Sequence, residues 1–171
     1  MRATLAFTLM LLLLSAPLRA DPPRLAVFDF ELVDTSLQGE MNGPRTDEQE
    51  RLMRVGDLLR KELTESGKFR LLDIAPVNAA AHGSNLQACG GCDVQYARQL
   101  DADLVITGSV QKVSNLILNI NIYLRDVHSG RLVTSMSADM RGNTDESWTR
   151  ALTYLVRDRL LAPNYGAPQA Q

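Results

Sequence analysis

The sequence is poor in the residues from which most catalytic and metal sites are built. It has two histidines, His82 and His128, and two cysteines, Cys89 and Cys92, among 171 residues. It contains no G-x-S-x-G nucleophile motif, no phosphate-binding glycine loop, no H-E-x-x-H pair and no calcium-loop spacing. We therefore expect no catalytic residues, no metal and no cofactor, and we predict that the protein is not an enzyme.

The chain also lacks a surplus of charge of either sign. Eighteen lysines and arginines oppose twenty aspartates and glutamates, which gives a formal net charge of −2. A nucleic-acid-binding protein needs a basic patch to neutralise phosphates, and no such patch is present, so no nucleic-acid partner is expected. Beyond the amino-terminal segment, no apolar run approaches the roughly 20 residues that cross a bilayer.

One apolar run does occur, at the amino terminus. Arg2 precedes residues 3–14, which are mostly apolar, and a helix-breaking Pro17 and a small Ala20 follow. This order of charged, apolar and small residues is typical of a secretory signal peptide. We predict that residues 1–20 are a signal peptide cleaved after Ala20. The protein would then be periplasmic or secreted, with no stable membrane insertion after cleavage.

The rest of the chain predicts a single α/β domain over residues 21–162, followed by a disordered tail at 163–171. Residues 24–33 are apolar on both faces, as in a buried strand, and residues 46–67 have helical apolar spacing. Residues 116–127 alternate between apolar and polar side chains, as in a strand with one wet face. The complete pattern predicts the order β-α-β-α-β-β-β-α. This order corresponds to a two-layer sandwich with a mixed five-stranded sheet and helices on one side.

The two cysteines form a C-G-G-C motif just before a helix predicted to start near Asp93. Thiols are oxidised in exported proteins, and two glycines let the chain turn tightly enough to join them. We therefore predict a disulfide between Cys89 and Cys92 that fixes the start of this helix. The alternative is a thiol–disulfide redox site, because a C-x-x-C at a helix start lowers the thiolate pKa. A metal site is disfavoured because only two histidines are present as further soft ligands.

Three carboxylates lie along the end of the first predicted strand: Asp29, Glu31 and Asp34. Residues two apart share one face of a regular strand, and open α/β sheets often bind ligands at the carboxyl ends of their strands. The cluster is therefore a candidate site for a cation or a small ligand, which would make the protein a carrier. A solvated acidic patch with an Asp/Ser turn explains the same residues.

Two further segments contain candidate partner-binding residues. The polar side of the strand at 116–127 belongs to the largest flat surface that this fold presents, and residues 141–148 combine polar groups with the only tryptophan. The candidates are Asn119, Asn121, Tyr123, Arg125, Arg141, Asp145 and Trp148. A partner or a second copy of the chain could dock there, so homo-oligomerisation stays open. Solvation of the sheet face, helix capping and core packing of the tryptophan explain the same residues.

Several segments resemble known envelope proteins. The stretches "LAVFDF", "CGGCDVQYARQLDADLVITGSVQKV" and "LNINIYLRDVHSGRLV" resemble the amino-terminal domain of periplasmic TolB and the related α/β domain of the curli-export protein CsgG. The stretches "DFELVDTS" and "RGNTDESW" resemble a family of small exported bacterial proteins defined only as a domain of unknown function. The resemblance does not extend to the TolB propeller, or to the lipid anchor and pore hairpins of CsgG. It implies a docking or assembly domain, accessory to a cell-envelope complex, whose partner is another envelope protein.

Overall fold

The computed structural model describes residues 21–163 and Tyr165, so the predicted signal peptide and most of the predicted tail lie outside the described residues. The elements are β1 (Arg24–Asp34), α1 (Leu37–Asn42), α2 (Thr46–Ser66), β2 (Arg70–Leu71), α3 (Ala75–His82), α4 (Cys92–Gln99), β3 (Leu104–Ser114), β4 (Ile117–Asp126), β5 (Leu132–Met140) and α5 (Asp145–Tyr154). A π-helical segment, Leu155–Leu161, extends α5. Over this part of the chain, no helix combines the length and the apolar character needed to cross a membrane.

The five strands form one mixed sheet in the order β2-β1-β3-β4-β5. β1 pairs in parallel with β2 and β3, whereas the β3–β4 and β4–β5 pairs are antiparallel. Parallel neighbours need crossover connections, and the helices between β1 and β3 supply them. β2 covers only the beginning of β1, and β5 forms the opposite edge of the sheet. The predicted α/β class and mixed five-stranded sheet are confirmed.

The sheet carries apolar side chains on both faces. Leu25 and Val27 of β1 belong to the larger core, which α2 and α5 cover, whereas Ala26 and Phe28 belong to a smaller core beneath α3 and α4. This alternation follows from the period of two in a strand. The smaller helical layer lies over the amino-terminal parts of β1 and β3, so the remainder of that face is open to other contacts.

A β-bulge interrupts β1. Val27 pairs with Ile106, but the next registered pair joins Phe30 to Gly108, so two residues of β1, Asp29 among them, oppose one residue of β3. The bulge turns Phe30 toward the larger core, where its ring lies against Gly108. A β-carbon at Gly108 would overlap that ring. Glycine is therefore required here by close approach.

Both ends of the described chain lie at one end of the molecule. The Arg70 backbone N–H donates to the Pro23 carbonyl at 2.9 Å, and the Lys68 ammonium donates to the Leu161 carbonyl. Tyr165, which falls within the predicted tail, packs against the larger core. The β3–β4 hairpin lies at the opposite end, since β3 runs the length of the sheet away from the start of β1.

Candidate functional site

Large apolar side chains are exposed where α1 meets the β3–β4 hairpin. The two elements are joined by a hydrogen bond from Asn115 Nδ2 to Gln38 Oε1 at 2.8 Å. The exposed side chains, which we call the apolar tip, are Leu37, Met41, Val113, Leu116 and Ile117. Their exposed fractions range from 57% to 75%. A single exposed apolar side chain is ordinary, but five on two joined elements form a patch of the kind that marks an interaction surface.

A groove of about 580 Å³ extends from the apolar tip across the open part of the sheet face. The hairpin residues of the tip line its apolar end, and Asn119, Asp139 and Arg141 line its polar end. The Asn119 amide donates to Asp139 Oδ1 at 2.9 Å and to Ser137 Oγ at 2.7 Å, which fixes its orientation. An apolar surface with a few oriented polar groups is typical of a binding site.

A buried ion network supports the apolar tip from the interior. Lys112 of β3 is fully buried, and its Nζ donates to Glu48 Oε1 at 2.7 Å and to Asp34 Oδ2 at 3.0 Å. Asn143, just before α5, donates to the same Glu48 oxygen at 2.6 Å and to Asn115 Oδ1 of the hairpin at 3.2 Å. The network therefore ties β1, β3, α2 and the start of α5 together beneath the tip.

The charges of this network stabilise one another. Burial acts to lower the pKa of Lys112, but the hydrogen bonds to Glu48 and Asp34 outweigh it and hold that pKa above its ordinary value. Burial acts to raise the pKa of Asp34, yet hydrogen bonds from Ser36 and Lys112 lower it overall. The Lys112–Asp34 pair is therefore ionised throughout the neutral range, and it acts as a structural tie.

The three carboxylates predicted as a cation or ligand site do not converge. Asp34 belongs to the ion network, and Asp29 lies in the bulge between the Arg60 guanidinium and His82 Nε2, the latter at 2.9 Å. Glu31 Oε1 accepts a backbone N–H from the loop between α3 and α4 at 2.7 Å. The bulge breaks the regular alternation on which the prediction depended, and although Asp29 and Glu31 line one small cavity of about 50 Å³ with His82, Asp34 lies outside it. Within residues 21–163 and 165, no group of three or more acidic, histidine or cysteine residues is placed to hold a metal ion.

Cys89 and Cys92 form a disulfide with their Cα atoms 5.7 Å apart. Gly90 and Gly91 have φ angles of 71° and 105°, a conformation that favours glycine. Cys92 is the first residue of α4, so the bridge lies at the start of this helix. It lies in the same connection between α3 and α4 as Leu86, whose backbone N–H donates to Glu31.

The predicted partner-binding residues separate into those at the groove and those within the structure. Asn119 and Arg141 line the groove. Trp148 is only 1% exposed, and its indole Nε1 donates to Asn143 Oδ1 at 3.0 Å. The prediction of a partner-binding tryptophan is therefore wrong: the side chain belongs to the larger core because it lies on the inner face of α5.

The other candidates on these segments have internal partners or are half-buried. Asp145, in the first turn of α5, accepts from Arg51 and Arg54 at 2.7 and 3.0 Å, and the hydrogen bond from Arg51 is the main cause that lowers its pKa. Arg125 pairs with the buried Asp93 of α4 at 3.2 Å. Asn121 and Tyr123 are half-buried on the same sheet face. None of these four residues lines the groove.

The apolar tip was missed by the sequence patterns. Leu37 and Met41 fall in a segment full of turn formers, and only the tertiary fold places them beside the hairpin. Leu116 fits the apolar alternation of residues 116–127, yet it lies in the turn before β4 and is 72% exposed. The one local signal was the adjacent Leu116–Ile117 pair at a turn, where polar residues are usual.

Comparison with protein families gives one match over most of the chain. The model DUF3280, described as "Protein of unknown function (DUF2380)", matches residues 23–160. A search of curated protein sequences gives no significant match.

Comparison with solved structures shows a shared fold. The LpoB C-terminal domain from Salmonella enterica aligns with a TM-score of 0.51 and 17% identity, over 71% of this chain and 84% of that one. The same domain from Escherichia coli aligns with a TM-score of 0.50 and 19% identity, over 74% and 87%. TolB from Acinetobacter baumannii aligns with a TM-score of 0.42 and 13% identity, over 78% of this chain and 28% of that one. The LpoB alignments show the fold alone, and the TolB alignment is too distant to support an argument.

Proposed function

We propose that this chain, which belongs to the DUF3280 family, is an exported, non-catalytic binding domain that acts as an accessory to a cell-envelope complex. The observation that carries the proposal is the apolar tip, with five large side chains that are exposed by more than half at one end of the molecule. The partner is a protein that docks on this tip and along the adjoining groove.

The tip suits a protein partner better than a small ligand. A small-ligand site encloses most of its ligand in a concave cavity, whereas these side chains project from the surface and the groove opens to solvent. A partner that covers them removes apolar area from water, which contributes about 25 cal/mol per Å² before the entropic cost of association is subtracted. Asn119 and Arg141 at the polar end of the groove would orient the partner.

The tip is also pre-organised for binding. Its hairpin is held from beneath by the Lys112–Glu48 ion pair, and Asn115 links the hairpin to α1 and to the loop before α5. A surface that is already ordered loses less conformational entropy when a partner binds. This rigidity supports the proposal that the tip is a docking surface.

The proposed envelope location rests on two features of the chain. The predicted signal peptide at residues 1–20 would export it, and the Cys89–Cys92 disulfide is of the kind that persists in oxidising compartments.

The test compares a tip variant with a matched control. Leu116→Ser/Ile117→Ser removes two tip side chains, and Met53→Ser removes a comparably exposed apolar side chain from α2, away from the tip. Tagged proteins are purified after mild cross-linking in cells, and the co-purified envelope proteins are quantified by mass spectrometry. We expect the tip variant to lose its partner and the control to retain it. Equal recovery with the tip variant and the wild type would contradict the proposal.

The same substitutions should leave the fold intact. Surface substitutions of this kind usually change the free energy of unfolding by less than about 0.5 kcal/mol. Urea unfolding of both variants therefore shows whether any loss of partner reflects the surface or the stability.

A further inference from the structure

We propose that the outer edge of β5 binds an extended segment of the partner as a sixth strand, packed between that edge and α5. This inference rests on the proposed function, since the segment belongs to the protein that docks on the apolar tip. It specifies the form that the partner takes on this side of the molecule.

The outer edge of β5 is suited to form backbone hydrogen bonds with another strand. In the described chain β5 pairs with β4 alone, with continuous register from Thr134 to Met140 and an irregularity only near Leu132. An edge strand presents a row of free backbone N–H and C=O groups, and proteins usually protect such edges with lysine, proline or a bulge. The stretch 134–140 contains neither lysine nor proline, and the bulge lies outside it.

A groove runs along this edge beneath the sheet. It has a volume of about 430 Å³, and its lining includes Ala138 and Met140 from β5 and Ser147, Ala151 and Tyr154 from α5. The three α5 residues are spaced by four and three, so they form one stripe along the helix. This stripe faces β5 across the groove at the free edge of the sheet, and Tyr154 there is 44% exposed.

The position of α5 along this groove favours a lone extended segment as the occupant. A second copy that paired its own β5 with this edge would bring its own α5 to the same face, and both helices would need the same groove. A strand without a helical layer meets no such conflict. Its main chain would pair with β5, and alternate side chains would point toward α5.

The groove also indicates the chemistry of this segment. Side chains that point toward α5 would contact Ala151, Tyr154 and Met140, so small or medium apolar residues fit there. Arg150 at the rim is paired with Glu146, but Arg141 is exposed and makes no ion pair with any described residue. The segment should therefore alternate apolar residues and carry an acidic group at the end nearest Arg141.

The edge groove is continuous with the groove at the apolar tip. Asp139, Met140 and Arg141 line both. One partner can therefore cover the tip and extend a strand along β5 without a gap between the two surfaces.

The test uses the protein purified from the periplasm of an expressing bacterium and random twelve-residue peptides displayed on phage. We expect enriched peptides to alternate apolar residues and to carry an acidic residue. Arg141→Glu and Tyr154→Ala should each weaken peptide binding about tenfold, the scale expected for a side chain central to an interface. Arg159→Glu, an exposed site on the π-helical segment away from the groove, is the charge-matched control and should bind the peptides as the wild type does.

Hydrogen exchange locates the bound peptide. A sixth strand should slow the exchange of amides within residues 134–140, because half of them gain a new acceptor. Peptides that neither protect these amides nor respond to the edge variants, or a library that yields no enriched peptide, would overturn the sixth strand and leave the tip proposal intact. Unchanged capture of the partner by the Leu116→Ser/Ile117→Ser variant would overturn the proposed function instead.

Discussion

Replacement of Lys112 by methionine should destabilise the protein by about 3–5 kcal/mol, the cost of removing one partner from a buried ion pair. Methionine keeps most of the apolar stem of the lysine but removes its charge. Glu48, only 1% exposed, would then keep a single close donor, the Asn143 amide at 2.6 Å. Asp34 is 17% exposed and retains a donor from Ser36, so water can replace part of what it loses. Most of the cost therefore falls on the buried Glu48 carboxylate.

Urea unfolding measures this cost directly, with the unfolding free energy and its denaturant slope compared across variants. Lys61→Met, at a lysine that is 67% exposed, is the matched control and should change stability by less than about 0.5 kcal/mol. Addition of Glu48→Gln to Lys112→Met removes the unpaired carboxylate and should recover part of the loss. A Lys112→Met protein as stable as the control, or a double variant with no recovery, would refute the reasoning.

Three further changes test other parts of the structure. Cys89→Ser/Cys92→Ser should lower the free energy of unfolding by about 2 kcal/mol, measured in urea, while capture of the partner persists. The wild-type cysteine pair should have a redox potential below about −300 mV. A potential in the oxidoreductase range would favour the redox alternative. The hydrogen bond from Arg24 lowers the pKa of Asp103 to about 2, so this carboxylate stabilises the fold fully above about pH 4 and loses that contribution as the pH falls toward 2. Asp103→Asn should therefore cost roughly 1 kcal/mol at pH 7, after allowance for solvent screening, and progressively less as the pH falls through 2, whereas a pH-independent difference between the two proteins would contradict this. Gly108→Ala should lower the melting temperature through a cost of about 1–3 kcal/mol, since the new methyl group overlaps a phenylalanine ring of β1, and an unchanged melting temperature would contradict this close approach.

Regular periodicity made the sheet and the longest helix predictable. The alternation predicted for β4 holds from Leu118 onward, where Ile120, Ile122 and Leu124 are fully buried. α2 begins at Thr46 and ends before Gly67 in the left-handed conformation, close to the predicted bounds. These patterns reflect, within each element, which side is buried, so they can be recognised in a single sequence.

The departures from regular geometry could not be recognised in this way. The bulge at Asp29 leaves no local signal, yet it decides that Asp29 and Glu31 bind different partners. The buried Lys112 lies in a strand whose polar residues suggest a wet face, and the carboxylates that make its burial tolerable come from α2 and from the end of β1. The candidate site depends on such long-range pairings, which is why the sequence predicted a docking surface on β4 but not the apolar tip.

The placement of both ends of the described chain opposite the hairpin has a practical consequence. β3 runs the length of the sheet from the end that holds the described chain ends to the end that holds the hairpin. Its 11 residues span roughly 35 Å at about 3.3 Å per residue. A surface, bead or fluorescent reporter attached at Asp21 or at Tyr165 would therefore stand clear of Leu116 and Ile117. Such a handle would present every immobilised molecule in the same orientation, with its hairpin facing the solution.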